Sequence, residues 1–361
     1  MSATTTTTTT LKEAAPARAV SMRWLISARE DLVWFIGSVV TSYALFALYV
    51  WGWVPLVPMV AAWAILVDAP HVFATFSRTY FDREERRARA KLLWWSLLFF
   101  AVGPLAVLAG LGFLFFFLAA LWAYYHLVKQ HYGFMVLYKK KNADLERADN
   151  FLDRAFLLLA FTYPFVWFVA HDEEALQRVP VSLHAWLGML ESALLALTIA
   201  AAVAWVGRQV QRFFLNLPLD VPKYLLLAAA VPMHWVVLLT PMPHKPIAIV
   251  AMLTVYHNFQ YHRLVWFHNR KYTRDDDCRE RHGAAEFISR RLLHYVALGV
   301  LFGVWYQVPR QYVNHATDNG ALLTQLLSGF LWGYALLHYY LDSKIWRVRR
   351  DPSVGKALRM E

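Results

Sequence analysis

From about residue 32 onward the chain alternates between long apolar runs and short polar stretches. A hydrocarbon layer about 30 Å thick takes roughly 20 helical residues to cross, at 1.5 Å of rise per residue. Ten runs approach that length: 32–50, 54–77, 92–110, 113–138, 152–170, 184–206, 223–241, 245–267, 291–308 and 320–342. In lipid the backbone must satisfy its own N–H and C=O groups, so these runs predict helices. The expected fold class is all-α, a polytopic transmembrane helical bundle of about ten spans. Two junctions, Trp51-Gly52-Trp53 and Gly110-Leu111-Gly112, are so short that the division into spans is least defined there. Pro55, Pro58, Pro104, Pro164 and Pro232 fall within runs, where neighbouring helices must cover the carbonyls they free.

The polar stretches give an orientation. Those after even-numbered runs are basic: Arg78 to Lys91, Lys139-Lys140-Lys141, Arg208 to Arg212, Arg263 to Arg291 and Lys344 to Arg350. Those after odd-numbered runs are poor in Lys and Arg, which places both termini in the cytoplasm. Residues 1–21, with the threonine run Thr4 to Thr10, read as a disordered tail, residues 22–347 as the membrane domain and 348–361 as a basic C-terminal tail.

Composition supports this picture. Hydrophobic residues make up 58% and charged residues only 17%, against about a quarter charged in soluble domains. The net charge of +11 sits in short runs between apolar stretches, so membrane lipids are expected partners and nucleic acid is not. The expected location is a multi-pass position in a bacterial inner (plasma) membrane. The single cysteine, Cys278, provides neither a disulfide nor a thiolate site, so any metal must take nitrogen and oxygen ligands.

The candidate chemistry lies in the histidines, because ionisable side chains within spans are usually tied to function. His71 falls in run 2, His126 and His131 in run 4, His257 and His262 in run 8, and His338 in run 10. His71, His131, His257 and His338 each stand six to eight residues before a basic stretch, about 9–12 Å along the helix, so they can meet in one layer. The pairs His126/His131 and His257/His262 are spaced by five. On a regular helix that sets side chains about 140° apart, so both members reach one centre only across a π-bulge. A bulge is expected in run 8 and left open for run 4. His234, mid-run, has no partner suggested by depth; His171, His184, His244, His268, His282, His294 and His315 read as structural.

An all-histidine site suits iron, copper or zinc and leaves positions for dioxygen or water. Asp68, Asp82 and Asp342 can orient imidazole N–H groups, although Asp82 reads more simply as a solvated interfacial acid. Tyr125, Tyr132, Tyr256 and Tyr261 flank the histidines, and Lys129 is expected to snorkel. The motifs HExxH, GxSxG, GxxxxGK[ST] and CxxCH are absent, which removes support for zincin proteolysis, acyl transfer, nucleotide hydrolysis and c-type haem attachment. Non-covalent haem stays open.

The order of motifs resembles the Brp/Blh family of membrane β-carotene 15,15′-dioxygenases. That resemblance rests on Pro70-His71, His131-Tyr132-Gly133, His257 with His262 after Pro241, Pro243 and Pro246, and His338 with Asp342. The chain departs from the family at Val72 and Thr75, lacks an Asp after Gly133, and spaces its paired histidines by five rather than four. The resemblance implies non-haem iron, one or two ions, held by His71, His131, His257 and His262. His126 and His338 would then serve a second iron or outer support, with Asp68, Asp342, Tyr132 and Tyr261 around the ligands. It further implies an oxygenase that uses dioxygen on an apolar isoprenoid or lipid. The alternatives are a di-iron lipid hydroxylase or desaturase, a haem electron-transfer protein and a transporter. The HxxxH and HxxHH boxes usual in the first of these are absent.

Overall fold

The computed structural model describes residues 20–273, 277–316, 321–348 and 351–360. Each apolar run lies on a helix. The first seven are α1 (Ala28–Val50), α2 (Leu56–Arg78), α3 (Ala90–Leu108), α4 (Gly112–Lys141), α5 (Arg147–His171), α6 (Val181–Phe214) and α7 (Val221–Leu239). Three more follow, α8 (Lys245–His268), α9 (Leu292–Ala316) and α10 (Leu322–Ile345). Among the described residues, eight helices are long and apolar enough to cross a membrane, α1 to α7 and α9, which points to a membrane protein. α8 and α10 fall short because they carry polar side chains inward. On α8, His257, Asn258, Gln260 and Arg263 are buried, and on α10 Thr324 and His338 are.

Gly52 and Gly110 turn the chain at the two tight junctions, each at φ +74°, a conformation that costs other residues roughly 1–2 kcal/mol. Elsewhere small residues let helices meet backbone to backbone. A Cβ on Gly103 of α3 would stand 2.3 Å from the Gly329 carbonyl oxygen of α10, and one on Gly303 of α9 would stand 2.1 Å from the Ile65 oxygen of α2.

That Ile65 carbonyl belongs to a π-helical turn, Ala64–Asp68. The expected bulge in run 8 is not found: α8 is α-helical throughout Lys245–His268. π-Helical turns fall instead in α1, over Asp31–Ile36, and in α2, where the Ala69 N–H reaches back five residues to the Ala64 oxygen. For the turn in α2 the reason is Pro70, which has no N–H and crowds the carbonyl four residues earlier, so the widened turn admits its ring.

Two boundaries differ from expectation. Residues 1–19 lie outside the described residues, but Val20–Ser21 pairs in parallel with Leu219–Asp220 instead of belonging to a tail. Near the other end, Pro352–Ala357 is helical, and Val354 and Leu358 are buried in the main core. Asp351 accepts from Arg89 Nη2 at 2.6 Å, and Lys141 Nζ donates to the Leu358 carbonyl at 2.6 Å. Residues 351–360 are therefore docked, held by apolar burial and by charges from the preceding basic stretches.

Lys139, expected in a basic loop, is buried near the end of α4 in an ion cluster. It pairs with Asp153 of α5. Lys223 of α7 reaches Asp144 at 2.6 Å and Asp153 at 3.1 Å, and Arg212 of α6 reaches Asp144 at 2.5 Å and Asp149 at 2.7 Å. Charges this buried persist only when paired, so the cluster fastens α4, α5, α6 and α7 at one end.

Candidate metal centre

Four helices each bring one histidine to a common point: His71 from α2, His126 from α4, His257 from α8 and His338 from α10. One ring nitrogen from each of His71, His126 and His338 lies within 4.8 Å of the other two. His257 Nε2 stands 3.2 Å from His71 Nε2, a spacing that fits either an N–H···N bond or two ligands of one cation. Ring centroids are 4.5 Å apart for His71 and His338, 4.9 Å for His126 and His338, and 5.1 Å for His126 and His257.

The nitrogens left over are informative. Among the described residues, His71 Nδ1, His126 Nε2, His257 Nδ1 and His338 Nε2 are buried without a hydrogen-bond partner, while the His71 and His257 atoms that face each other are the two Nε2 atoms. Each such group costs about 1–3 kcal/mol unless something satisfies it. Converging imidazole lone pairs with no acid among them are the donor set of a cation that favours nitrogen. The residues present thus fit a bound metal ion.

An outer set of bonds fixes the orientation of His338. Its Nδ1 lies 2.7 Å from Thr75 Oγ1. Thr75 donates to Asp342 Oδ1 at 2.8 Å, and Tyr261 donates to the same oxygen at 2.7 Å. With its own proton committed to Asp342, Thr75 accepts the Nδ1–H of His338, which turns the Nε2 lone pair into the cluster. The Tyr261 ring also rests against His71, with centroids 4.4 Å apart. Thr75, which the sequence marked only as a departure from the family pattern, is thus the hub of this shell. Thr75→Val keeps the shape and removes the hydroxyl, so metal affinity is expected to fall about 10–100-fold. Chelator competition on the purified variant measures this, and wild-type affinity would show that the hydroxyl does not orient the site.

The other expected site residues lie elsewhere. His262 Nδ1 is 3.0 Å from the Tyr295 hydroxyl and its Nε2 is 3.2 Å from the Val67 oxygen, so both nitrogens are occupied. His131 points to the opposite side of α4, its ring 5.5 Å from that of His234 on α7. Because α4 and α8 stay regular, residues five apart diverge by about 140°, and only one member of each pair can face the centre. The shared layer therefore contains His126 where depth alone placed His131.

His131 and His234 are a second buried pair. Nδ1 of each meets the carbonyl four residues earlier, Leu127 at 3.0 Å and Ala230 at 2.9 Å, and among the described residues Nε2 of each lacks a partner. Depth counted from the basic stretches of even-numbered helices had no means to pair a residue of α7. Asp68 meets Asn258 Nδ2 at 3.4 Å and, among the described residues, bonds no histidine. Tyr132 lies under the Lys129 ammonium, 4.5 Å away. Asp82 is buried, caps the helix Arg83–Ala88 and lies 3.2 Å from His282 Nδ1. His315 lies outside the residues whose side chains are described.

A cavity of about 750 Å³ adjoins the centre, with His126, Tyr261 and Asp342 on its wall. Its size is that of a site for a substantial small molecule. Aromatic and aliphatic side chains, among them Trp122, Leu137, Leu264 and Trp346, line much of the remainder. No family model matches this chain, and neither a curated protein nor a solved structure matches it.

Proposed function

We propose that this chain is a ten-span membrane protein with both termini in the cytoplasm, and that it is a histidine-ligated non-haem iron oxygenase acting on an apolar isoprenoid or lipid. The observation that carries this reading is the convergence of His71, His126 and His338 within 4.8 Å, with His257 beside them and a cavity at their side. The ligand set assigned here is His71, His126, His257 and His338. It shares His71 and His257 with the set that the resemblance to the Brp/Blh family implies, and it replaces His131 and His262. A single ion is favoured, because those two histidines face other surroundings.

Iron in this set would activate dioxygen toward an electron-rich hydrocarbon. The protein's own contributions are separable. Thr75, Asp342 and Tyr261 hold His338 in one tautomer and orientation. The cavity wall offers an apolar chain a place beside His126. Haem is disfavoured because His338 stands 4.5 Å from the His71 ring and 4.9 Å from the His126 ring, in the space that a flat macrocycle would need between those two rings, which are 6.4 Å apart.

The test is oxygen consumption by purified, iron-loaded protein supplied with β-carotene, other isoprenoids or unsaturated lipids. Iron without a Soret band is expected, together with substrate-dependent oxygen uptake that falls more than about 100-fold in His71→Ala. A Soret band, or no oxygen uptake with any apolar substrate, would overturn the oxygenase reading.

A further inference from the structure

His131 of α4 and His234 of α7 are both fully buried, on the side of α4 away from the four-histidine centre. Their rings stand 5.5 Å apart with planes at 89°. Hydrogen bonds fix both tautomers. A carbonyl oxygen only accepts, so Nδ1 of His131, 3.0 Å from the Leu127 oxygen, carries the ring proton, and so does Nδ1 of His234, 2.9 Å from the Ala230 oxygen. Nε2 of each ring is therefore a bare lone pair, and two lone pairs cannot bond each other. The neighbouring hydroxyls are committed elsewhere. Tyr256, whose ring is 5.3 Å from that of His131, donates to the Phe35 oxygen at 2.7 Å. Tyr124, whose ring is 6.4 Å from that of His234, donates to the Phe161 oxygen at 2.7 Å. The Phe161 ring itself packs 4.0 Å from His234 and 5.4 Å from His131.

These surroundings select among occupants. A water molecule could donate to both lone pairs, but its oxygen would find no donor among these neighbours, whereas buried waters make about three bonds. A dication would bring two charges into an apolar interior where, among the described residues, no carboxylate bonds either ring. A soft monovalent cation is satisfied by two nitrogen donors, carries half that charge, and is favoured by the aromatic rings of Phe161, Tyr124 and Tyr256 around it. We propose that His131 and His234 form a two-coordinate site for such a cation, Cu(I) or its analogue Ag(I), separate from the four-histidine centre. Each histidine supplies its Nε2, and the Leu127 and Ala230 carbonyls hold the rings in the tautomer that binds. The site needs neither iron nor dioxygen, so it stands or falls independently of the oxygenase reading.

The experiment titrates full-length protein in non-ionic detergent with Cu(I), without oxygen, in competition with the Cu(I) chelator bicinchoninate. His131→Leu and His234→Leu each put an apolar side chain in apolar surroundings. Each is expected to lose about one Cu(I) per chain relative to the wild-type protein, its residual affinity at this site falling at least about 100-fold. The triple variant His71→Ala/His126→Ala/His257→Ala removes the centre and leaves the pair intact. It is expected to keep about one Cu(I) per chain, with the X-ray absorption spectrum of two nitrogen donors. Cu(I) uptake unchanged by both leucine substitutions would overturn the proposal. So would a triple variant that takes up no Cu(I), the result a water-bridged pair gives, or one whose spectrum shows three or more nitrogen donors. The leucine variants and the triple variant alter different parts of the protein, so either arm decides the matter if the other does not fold.

Discussion

His338→Ala is expected to bind metal at least about 100-fold more weakly than the wild-type protein, a larger loss than removing an outer-shell partner gives. His338 is fully buried, its Nδ1 is held by Thr75, and its Nε2 has no partner other than whatever the cluster holds. Truncation removes one donor and leaves the Thr75, Asp342 and Tyr261 shell facing a void. His262→Ala provides the comparison, since both of its nitrogens are committed to Tyr295 and Val67; that variant should retain near wild-type metal. Elemental analysis and chelator competition on the two purified variants read the difference. Equal loss in both, or full retention in His338→Ala, would refute the ligand set assigned here.

A second large effect is expected far from the centre. Asp153 is fully buried and receives Lys139, Lys223 and the Trp205 indole N–H. Asp153→Ala leaves two ammonium groups short of a counter-charge inside the protein, a loss of about 3–5 kcal/mol. The exposed pair Arg178–Glu174 sets the scale: Glu174→Ala should change stability by less than about 1 kcal/mol. Unfolding of both variants in detergent, followed by temperature or denaturant, gives the comparison. Similar midpoints for Asp153→Ala and Glu174→Ala would mean that the cluster is solvated.

Much of this architecture is written in the hydrophobic pattern. Each apolar run became a helix, because runs of that length can satisfy their backbone only within themselves. The two glycine junctions divided adjacent helices where the pattern placed them. The site was legible in depth but not in direction. Counting from the basic stretches brought out His71, His257 and His338, since rise along a helix is fixed by residue number. Which face each histidine presents depends on helix rotation, and that is set by packing. The five-residue spacing already implied that one member of each pair must turn away unless the helix was irregular. The π-turns formed in α1 and, where the Pro70 ring had to be accommodated, in α2, and left α4 and α8 regular.

What stayed hidden depends on contacts between distant segments. Thr75 is an unremarkable residue until α10 places His338 and Asp342 against it. The pairing of His131 with His234 requires α4 and α7 to be neighbours, which no local spacing encodes. The same holds for Lys139, whose run of three lysines reads as a loop until Asp144, Asp153 and Lys223 surround it. The docking of residues 351–360 likewise needed the partners Arg89 and Lys141 to be seen beside it.

The four converging histidines are spread from position 71 to position 338, and α10, the last of the long helices, contributes both His338 and the Asp342 that braces it. Helices of a membrane protein enter the bilayer in chain order during synthesis. A nascent chain that has inserted α2, α4 and α8 therefore carries three of the four histidines and an open fourth side. If a metal ion is bound as proposed, its ligand set is complete only once α10 has packed against α3 across the Gly103–Gly329 contact.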